Sequence, residues 1–151
     1  MKKVIIVLAV IILSACGGNQ SRIDRIKEQS KIATVDPFEN WQSNHGVGPI
    51  EAFELPVDID QEMAAVGLKI YEAKCTACHK PQKKFIGPAP KGLLAKRTPA
   101  WVMNMILNPD EMVKNDPMAR QLLIDFNGSP MANQNLSSED ARAVLEYFRT
   151  L

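Results

Sequence analysis

Cys75-Thr76-Ala77-Cys78-His79 is the cluster whose residue types and spacing carry chemistry by themselves. C-x-x-C-H is the attachment signature of c-type haem. The two thiols can add across the two vinyl groups of the porphyrin as thioethers, and a short helical turn sets their separation. The adjacent histidine then brings an imidazole beneath the iron as the proximal ligand. Other uses of paired cysteines fit less well. A thioredoxin-like dithiol needs a βαβ context, and no alternating strand pattern is visible beyond residue 15. A zinc site takes about four ligands, and His45 is the one further donor near neutral pH if Cys16 is used elsewhere. The expected cofactor is one covalently bound haem c, attached at Cys75 and Cys78, with its iron held by His79.

Haem iron in an electron carrier usually takes a second axial ligand, and a His/Met pair raises the potential. Of the seven methionines, Met103 and Met105 fall on an apolar helical run, where Met more often fills core. Met63 lies on another helix, and Met112 and Met118 lie near helix starts. Met131 follows Gly128-Ser129-Pro130 in a loop before the final helix. There a side chain can be held over a haem face without serving a helical stripe. Met131 is the expected distal ligand; Met118 (at the start of a peripheral helix), His45 and an open sixth position are the alternatives. Arg97 and Trp101 are candidates for propionate or haem-packing contacts, against a plainer reading as surface or core.

The elements that must position these groups read as helices. Ile59, Met63, Val66, Gly67, Ile70 and Tyr71 recur at helix spacing, with Asp58 and Gln61 placed as a capping box. A second helix starts at Thr98 and Pro99, carries Trp101, Met105 and Ile106, and stops at Pro109. A third starts at Asp116-Pro117 and ends at Asn127-Gly128. The last starts at Ser137, with Asp140 three residues on, and buries Ala141, Val144, Leu145 and Phe148. All ten prolines fall outside these helix interiors. The expected class is all-α.

The N-terminus reads differently. Lys2 and Lys3 precede an apolar run over residues 4–13, too short for a membrane span of about 20 residues but suited to a signal peptide. The run ends in Leu13-Ser14-Ala15-Cys16, which resembles the bacterial lipoprotein signal. That resemblance implies cleavage before Cys16, acylation of Cys16 as a lipid anchor, and a protein facing the periplasm or cell exterior. Gly17 to Ser21 form a polar leash, and residues 22–31 could form a short charged helix. Residues 34–58 are irregular and Pro-rich, yet Phe38, Trp41, Phe53 and Leu55 are too apolar for pure linker. This segment is expected to lie against the globular domain. The chain thus divides into a signal peptide (1–15), an anchored linker and extension (16–57) and a haem domain (58–151).

Charge is balanced overall, at +1 with 18 Lys and Arg against 17 Asp and Glu, and gives no footprint for nucleic acid. It is not balanced locally. Residues 69–97 hold eight Lys or Arg against Glu72 alone. Lys80, Lys83 and Lys84 belong to this block and follow the haem motif. They read either as a solvated face or as a ring that steers the haem edge onto an acidic redox partner.

Residues 60–151 resemble class I, mitochondrial-type cytochromes c. The resemblance rests on Gly67 and Tyr71 before the haem motif, on Gly87-Pro88, and on Pro130-Met131 running into Leu136-Ser137-Ser138-Glu139-Asp140. It implies a class I fold packed around one haem, with the first helix crossing the last at a small residue beside Tyr147 and Phe148. It also implies that the Pro88 carbonyl accepts a hydrogen bond from His79. Residues 108–128 are long for a minimal member. Residues 86–92 and 131–135 are similar to small lipoprotein cytochromes associated with nitrous oxide reductase clusters. The expected function is a monomeric, anchored one-electron carrier and not an enzyme, serving nitrous oxide reductase or a terminal oxidase. A haem sensor or peroxidase-like enzyme with an open sixth site is the alternative, although no distal His/Arg constellation is visible. A thiol-redox lipoprotein without haem is the third reading.

Overall fold

Helix starts are written into the chain by side-chain oxygens and prolines. The computed structural model describes residues 38–151. The signal peptide, Cys16, the leash and the helix expected over 22–31 lie outside the described residues. α1 spans Gln61–Lys74, with the Asp60 carboxylate accepting from the Met63 N–H. α2 spans Pro99–Leu107 behind Thr98, whose hydroxyl accepts from Trp101 N–H. α3 spans Pro109–Asn115, and α4 spans Pro117–Asp125 behind Asp116. α5 spans Ser138–Arg149 and opens with the full Ser137/Asp140 capping box. Among the described residues there is no strand beyond an isolated bridge between Lys80 and Lys83, and no helix long and apolar enough to cross a membrane. The fold is all-α.

Two expectations about helix ends are corrected. Asp60, not Asp58, caps α1, because Asp60 is the residue whose oxygen reaches the third helical N–H; the Asp58 carbonyl instead accepts from Arg149. Pro109 ends α2 but also begins α3, a helix the sequence reading left out. Its ring disfavours helical backbone at Asn108 while its own fixed φ suits a first helical turn.

α1 packs against α5 through one close approach. A Cβ on Gly67 would lie 1.9 Å from the Ala143 carbonyl oxygen, so only glycine permits this separation. That contact sets the buried ridge of α1 along Ala64, Gly67 and Tyr71. Consequently Met63 and Ile70 are only half-buried and Val66 is 50% exposed, a rotation of the expected stripe. Tyr71 completes the joint, its ring 5.2 Å from Tyr147 and edge-on to Phe148 at 5.9 Å.

Residues 38–58 lie against this body, as their apolar content suggests. Phe38, Trp41, Val47, Ile50, Phe53 and Leu55 pack on the core, and two buried polar side chains hold the segment, one through its backbone and one through a side chain. Asn104 of α2 donates to the His45 and Ile50 carbonyls and accepts from the Ile50 N–H. Asp116 accepts from the Asn44 side-chain amide at 2.6 Å.

The far end of the segment meets a buried ion cluster. Glu146 is fully buried and accepts from Arg142, Arg149 and the Asp60 N–H. Arg149 also donates to the Pro56, Val57 and Asp58 carbonyls. Burial alone would raise the Glu146 pKa; the Arg142 and Asp60 hydrogen bonds and the two arginine charges reverse this and hold it below its ordinary value of 4.5. Its contribution to stability is therefore complete above the unfolded-state value and is lost as pH falls through the lower folded-state value. Glu146→Gln is expected to cost about 3 kcal/mol at neutral pH and to flatten the decline of Tm below pH 4.5. Thermal melts of both proteins across pH 3–7 check this; parallel curves would show that Glu146 does not drive the acid limb.

Candidate haem site

The functional cluster begins where α1 ends. Cys75 caps the helix and donates its N–H to Tyr71. The next turn folds back on it, with the Cys78 and His79 N–H groups donating to the Cys75 carbonyl at 3.1 and 2.8 Å. Both thiols are free of any disulfide, and with the His79 ring they line one apolar cleft. Burial first, and then Cys78, push the Cys75 thiol up. That is opposite to the lowered pKa of a reactive thiol.

The His79 ring is held by the segment that follows. Its Nδ1 donates to the Pro88 carbonyl at 2.8 Å. A carbonyl can only accept, so Nδ1 carries the proton and Nε2 keeps the lone pair for a metal. A Cβ on Gly87 would come within 2.5 Å of the His79 ring, which explains glycine there. The His79 carbonyl accepts from the Tyr71 hydroxyl at 3.0 Å. Burial, with Tyr147 and Cys75 adding to it, pushes that phenol up to about 12, so it stays a donor. Sequence reasoning saw Tyr71 as a packing residue and missed this second hold on His79.

All five helices contribute to the cleft walls, α1 through Tyr71 and Lys74 and α3 through Val113. Trp101, Val102, Met105 and Ile106 of α2 line it, as do Ala119, Leu122 and Leu123 of α4 and Val144 and Phe148 of α5. Residues 108–128, the departure from a minimal pattern, thus build a wall through α4. Met131 lines the cleft from its loop. His45, Met112 and Met118 do not. The Met112 sulfur accepts from the Val47 N–H at 3.0 Å, and the Met118 sulfur accepts from the Asn44 amide at 3.2 Å. Met118 is fully buried rather than peripheral, because the extension covers the start of α4.

Pro88 and Trp101 line the cleft as expected, but Arg97 does not. Arg97 lines an adjoining cavity with Phe38 and Trp41, which shares Pro88, Ala89, Leu93 and Leu122 with the cleft. It is buried, with its guanidinium 4.8 Å from the Phe38 ring centroid and 5.1 Å from that of Trp101. Burial pushes its pKa down, and Asp116 opposes that. One guanidinium nitrogen donates to the Lys96 carbonyl, while Nε is buried without a partner. The site therefore fits haem c on three counts: paired thiols, an imidazole with a free Nε2 in an apolar slot, and a buried cation next to it suited to a carboxylate.

The basic block is exposed at Lys69, Lys74, Lys83, Lys84, Lys91 and Lys96, with Lys80 half-buried. Lys80 donates to the Thr76 carbonyl and lies 5.1 Å from the Phe85 ring centroid. Lys84 donates to the Asp125 carbonyl and lies 4.3 Å from that of Phe126. Phe85 and Ile86 are themselves about half exposed.

Comparison with known proteins agrees with the geometry. A sequence model of the cytochrome c family matches residues 64–151. A cytochrome c from Rhodothermus marinus is 39% identical over 68% of this chain and 88% of its own, with a TM-score of 0.65. An engineered form of that cytochrome matches at 38% identity over 68% of this chain and 89% of its own, with a TM-score of 0.65. The engineered form bound to a carbene intermediate matches at 38% identity, 68% and 88% coverage, and a TM-score of 0.62. No protein with a curated description matches. The fold, the C-x-x-C-H turn and these likenesses agree that the chain carries haem c, covalently bound with its iron, and belongs to the cytochrome c family.

Proposed function

We propose that this protein is an exported, lipid-anchored, monomeric one-electron carrier whose iron is held by His79 and Met131. Membership of the family implies electron transfer. Bound haem c supplies the one-electron iron couple. The chain's own residues would hold that group in an apolar slot, His79 and Met131 would be the side chains offered to the iron, and the haem edge would be left open to a partner.

The observation that carries the ligand assignment is the placement of the thioethers. Two line the cleft: Met105 within α2 and Met131 in the loop before α5. Met105 is bound to the geometry of a packed helix, whereas Met131 sits on a segment free of any helical stripe. Met112 and Met118 spend their sulfurs on the extension. The buried Arg97, with its unpartnered Nε, is the proposed neighbour of a haem propionate. The half-exposed Phe85 and Ile86 beside Lys80, Lys83 and Lys84 favour an apolar contact within a basic rim, suited to a redox partner of acidic surface. Nitrous oxide reductase is the acceptor suggested by the sequence resemblance, with a terminal oxidase as the alternative. The signal and Cys16 support anchoring on the periplasmic or external side, since several acyl chains hold where one binds only reversibly.

Met131→Ala is expected to abolish the near-infrared thioether-to-iron charge-transfer band of the oxidised protein, lower the potential and admit carbon monoxide. Met105→Ala and Met118→Ala should keep the band and cost only packing, about 2–5 kcal/mol each. Loss of the band from either of these, with retention in Met131→Ala, would reassign the ligand. A parent protein that lacks the band and binds carbon monoxide readily would favour the sensor or enzyme instead.

Replacing Lys80, Lys83 and Lys84 together with Gln should slow electron transfer to the acceptor and flatten its salt dependence, because steering relies on charge unscreened beyond about 10 Å. Stopped-flow rates across ionic strength read this, and an unchanged rate at low salt would leave the three as solvated surface. Cys16→Ser should move the protein from membranes to the soluble fraction without changing haem content; equal membrane retention would remove the anchor.

A further inference from the structure

Trp101, a wall of the haem cleft, is held from behind by a carboxylate that a minimal cytochrome reading does not call for. Its Nε1–H donates to Asp116 Oδ1 at 3.1 Å. Asp116 is 3% exposed. It also accepts from the Ala119 N–H at 2.7 Å and the Asn44 amide at 2.6 Å. It thus accepts three hydrogen bonds from neutral donors and donates none, the pattern of an ionised carboxylate. No cation lies within ion-pair distance of it among the described residues. The negative charge sits one indole away from the cleft; the buried Arg97, stacked on that indole, feels it without forming an ion pair. The extension covers it: Asn44 binds Oδ2, and the Asn44 carbonyl accepts from the Thr98 hydroxyl.

We infer that Asp116 is a potential-setting residue, a buried negative charge placed behind Trp101 to hold the reduction potential below what the apolar cleft alone would give. The inference rests on haem c in the cleft and on the carrier reading. Its sign follows from charge. Oxidised iron carries one more positive charge than reduced iron, so a nearby buried carboxylate stabilises the oxidised state and lowers the potential, and its removal, which also leaves the Arg97 cation unopposed, raises it. Low dielectric makes this interaction longer-ranged than it would be at the surface. The N-terminal extension thereby gains a role in the redox centre, since it keeps water from screening that charge.

The sign also separates this role from a structural one. Loosening the wall would admit water to the cleft, stabilise the more charged oxidised state and lower the potential. Neutralising Asp116 must raise it. The test is an optical redox titration of haem-loaded Asp116→Asn and Asp116→Ser. The serine variant keeps an oxygen that can cap α4 and avoids setting an amide against the Asn44 amide. Both should raise the midpoint enough to change the oxidised-to-reduced ratio at fixed potential by about threefold, or about 28 mV at 59 mV per tenfold for one electron. Asn44→Ala, which releases the extension without removing charge, should not raise it. An unchanged or lowered midpoint in either Asp116 variant, or an equal rise in Asn44→Ala, would overturn the inference. The near-infrared band of the parent reports the distal ligand separately, so failure of the Met131 assignment is distinguishable from failure of this one.

Discussion

The hydrogen bond from His79 Nδ1 to the Pro88 carbonyl is where the architecture converges. It fixes which imidazole nitrogen is free, and it can form only because residue 87 has no side chain to meet the ring. The carbonyl on the other side of His79 is tied to Tyr71, which belongs to α1. Tyr71 is placed in turn by the approach of α1 to α5 at Gly67 and Ala143. Each bond is worth only about 1 kcal/mol in net stability. Their arrangement in series matters more, because a shift at the helix crossing reaches the ligand ring through two contacts.

The cofactor also answers a packing problem. Aromatic residues make up only 6% of the sequence, and of the largest fully buried side chains Trp101 and Tyr71 line the cleft while Met112, Met118 and Leu145 do not. A covalently bound porphyrin supplies the apolar bulk that so few rings cannot. The thioether bonds then make core and redox centre the same object, and the apolar lining that stabilises the fold is what disfavours the charged, oxidised iron. A carrier must balance that tendency, and buried charge close to the wall is one means of doing so.

Local signals made much of this legible in the sequence. The C-x-x-C-H turn, the Thr98-Pro99 and Asp116-Pro117 starts, the Ser137/Asp140 box and the stop at Asn127-Gly128 all depend on neighbours in the chain, and the last is seen as positive φ at both residues. What was hidden depends on distant partners. Asp58 and Asp60 are equally good caps until Arg149 engages the Asp58 carbonyl. Arg97 reads equally as a propionate contact or as plain surface or core until Phe38 is seen to cover it, and Met118 reads as peripheral until Asn44 and the extension close over α4. Asn104 looks like an intrusion in an apolar helix, yet it replaces the strand partner that Ile50 lacks.

The extension over residues 38–58 and the pair α3 and α4 are not independent, since they meet at Met112, Asp116 and Met118, each of which takes a hydrogen bond from the extension. Neither feature would be satisfied without the other. The extension would leave the Val47 N–H and the Asn44 amide without these acceptors, and the helix pair would expose two thioethers and a carboxylate. An exposed thioether beside a haem cleft is also a competing ligand for iron. Engaging the sulfurs of Met112 and Met118 with N–H donors therefore does two things at once: it closes the surface and removes rivals to the proposed ligand Met131.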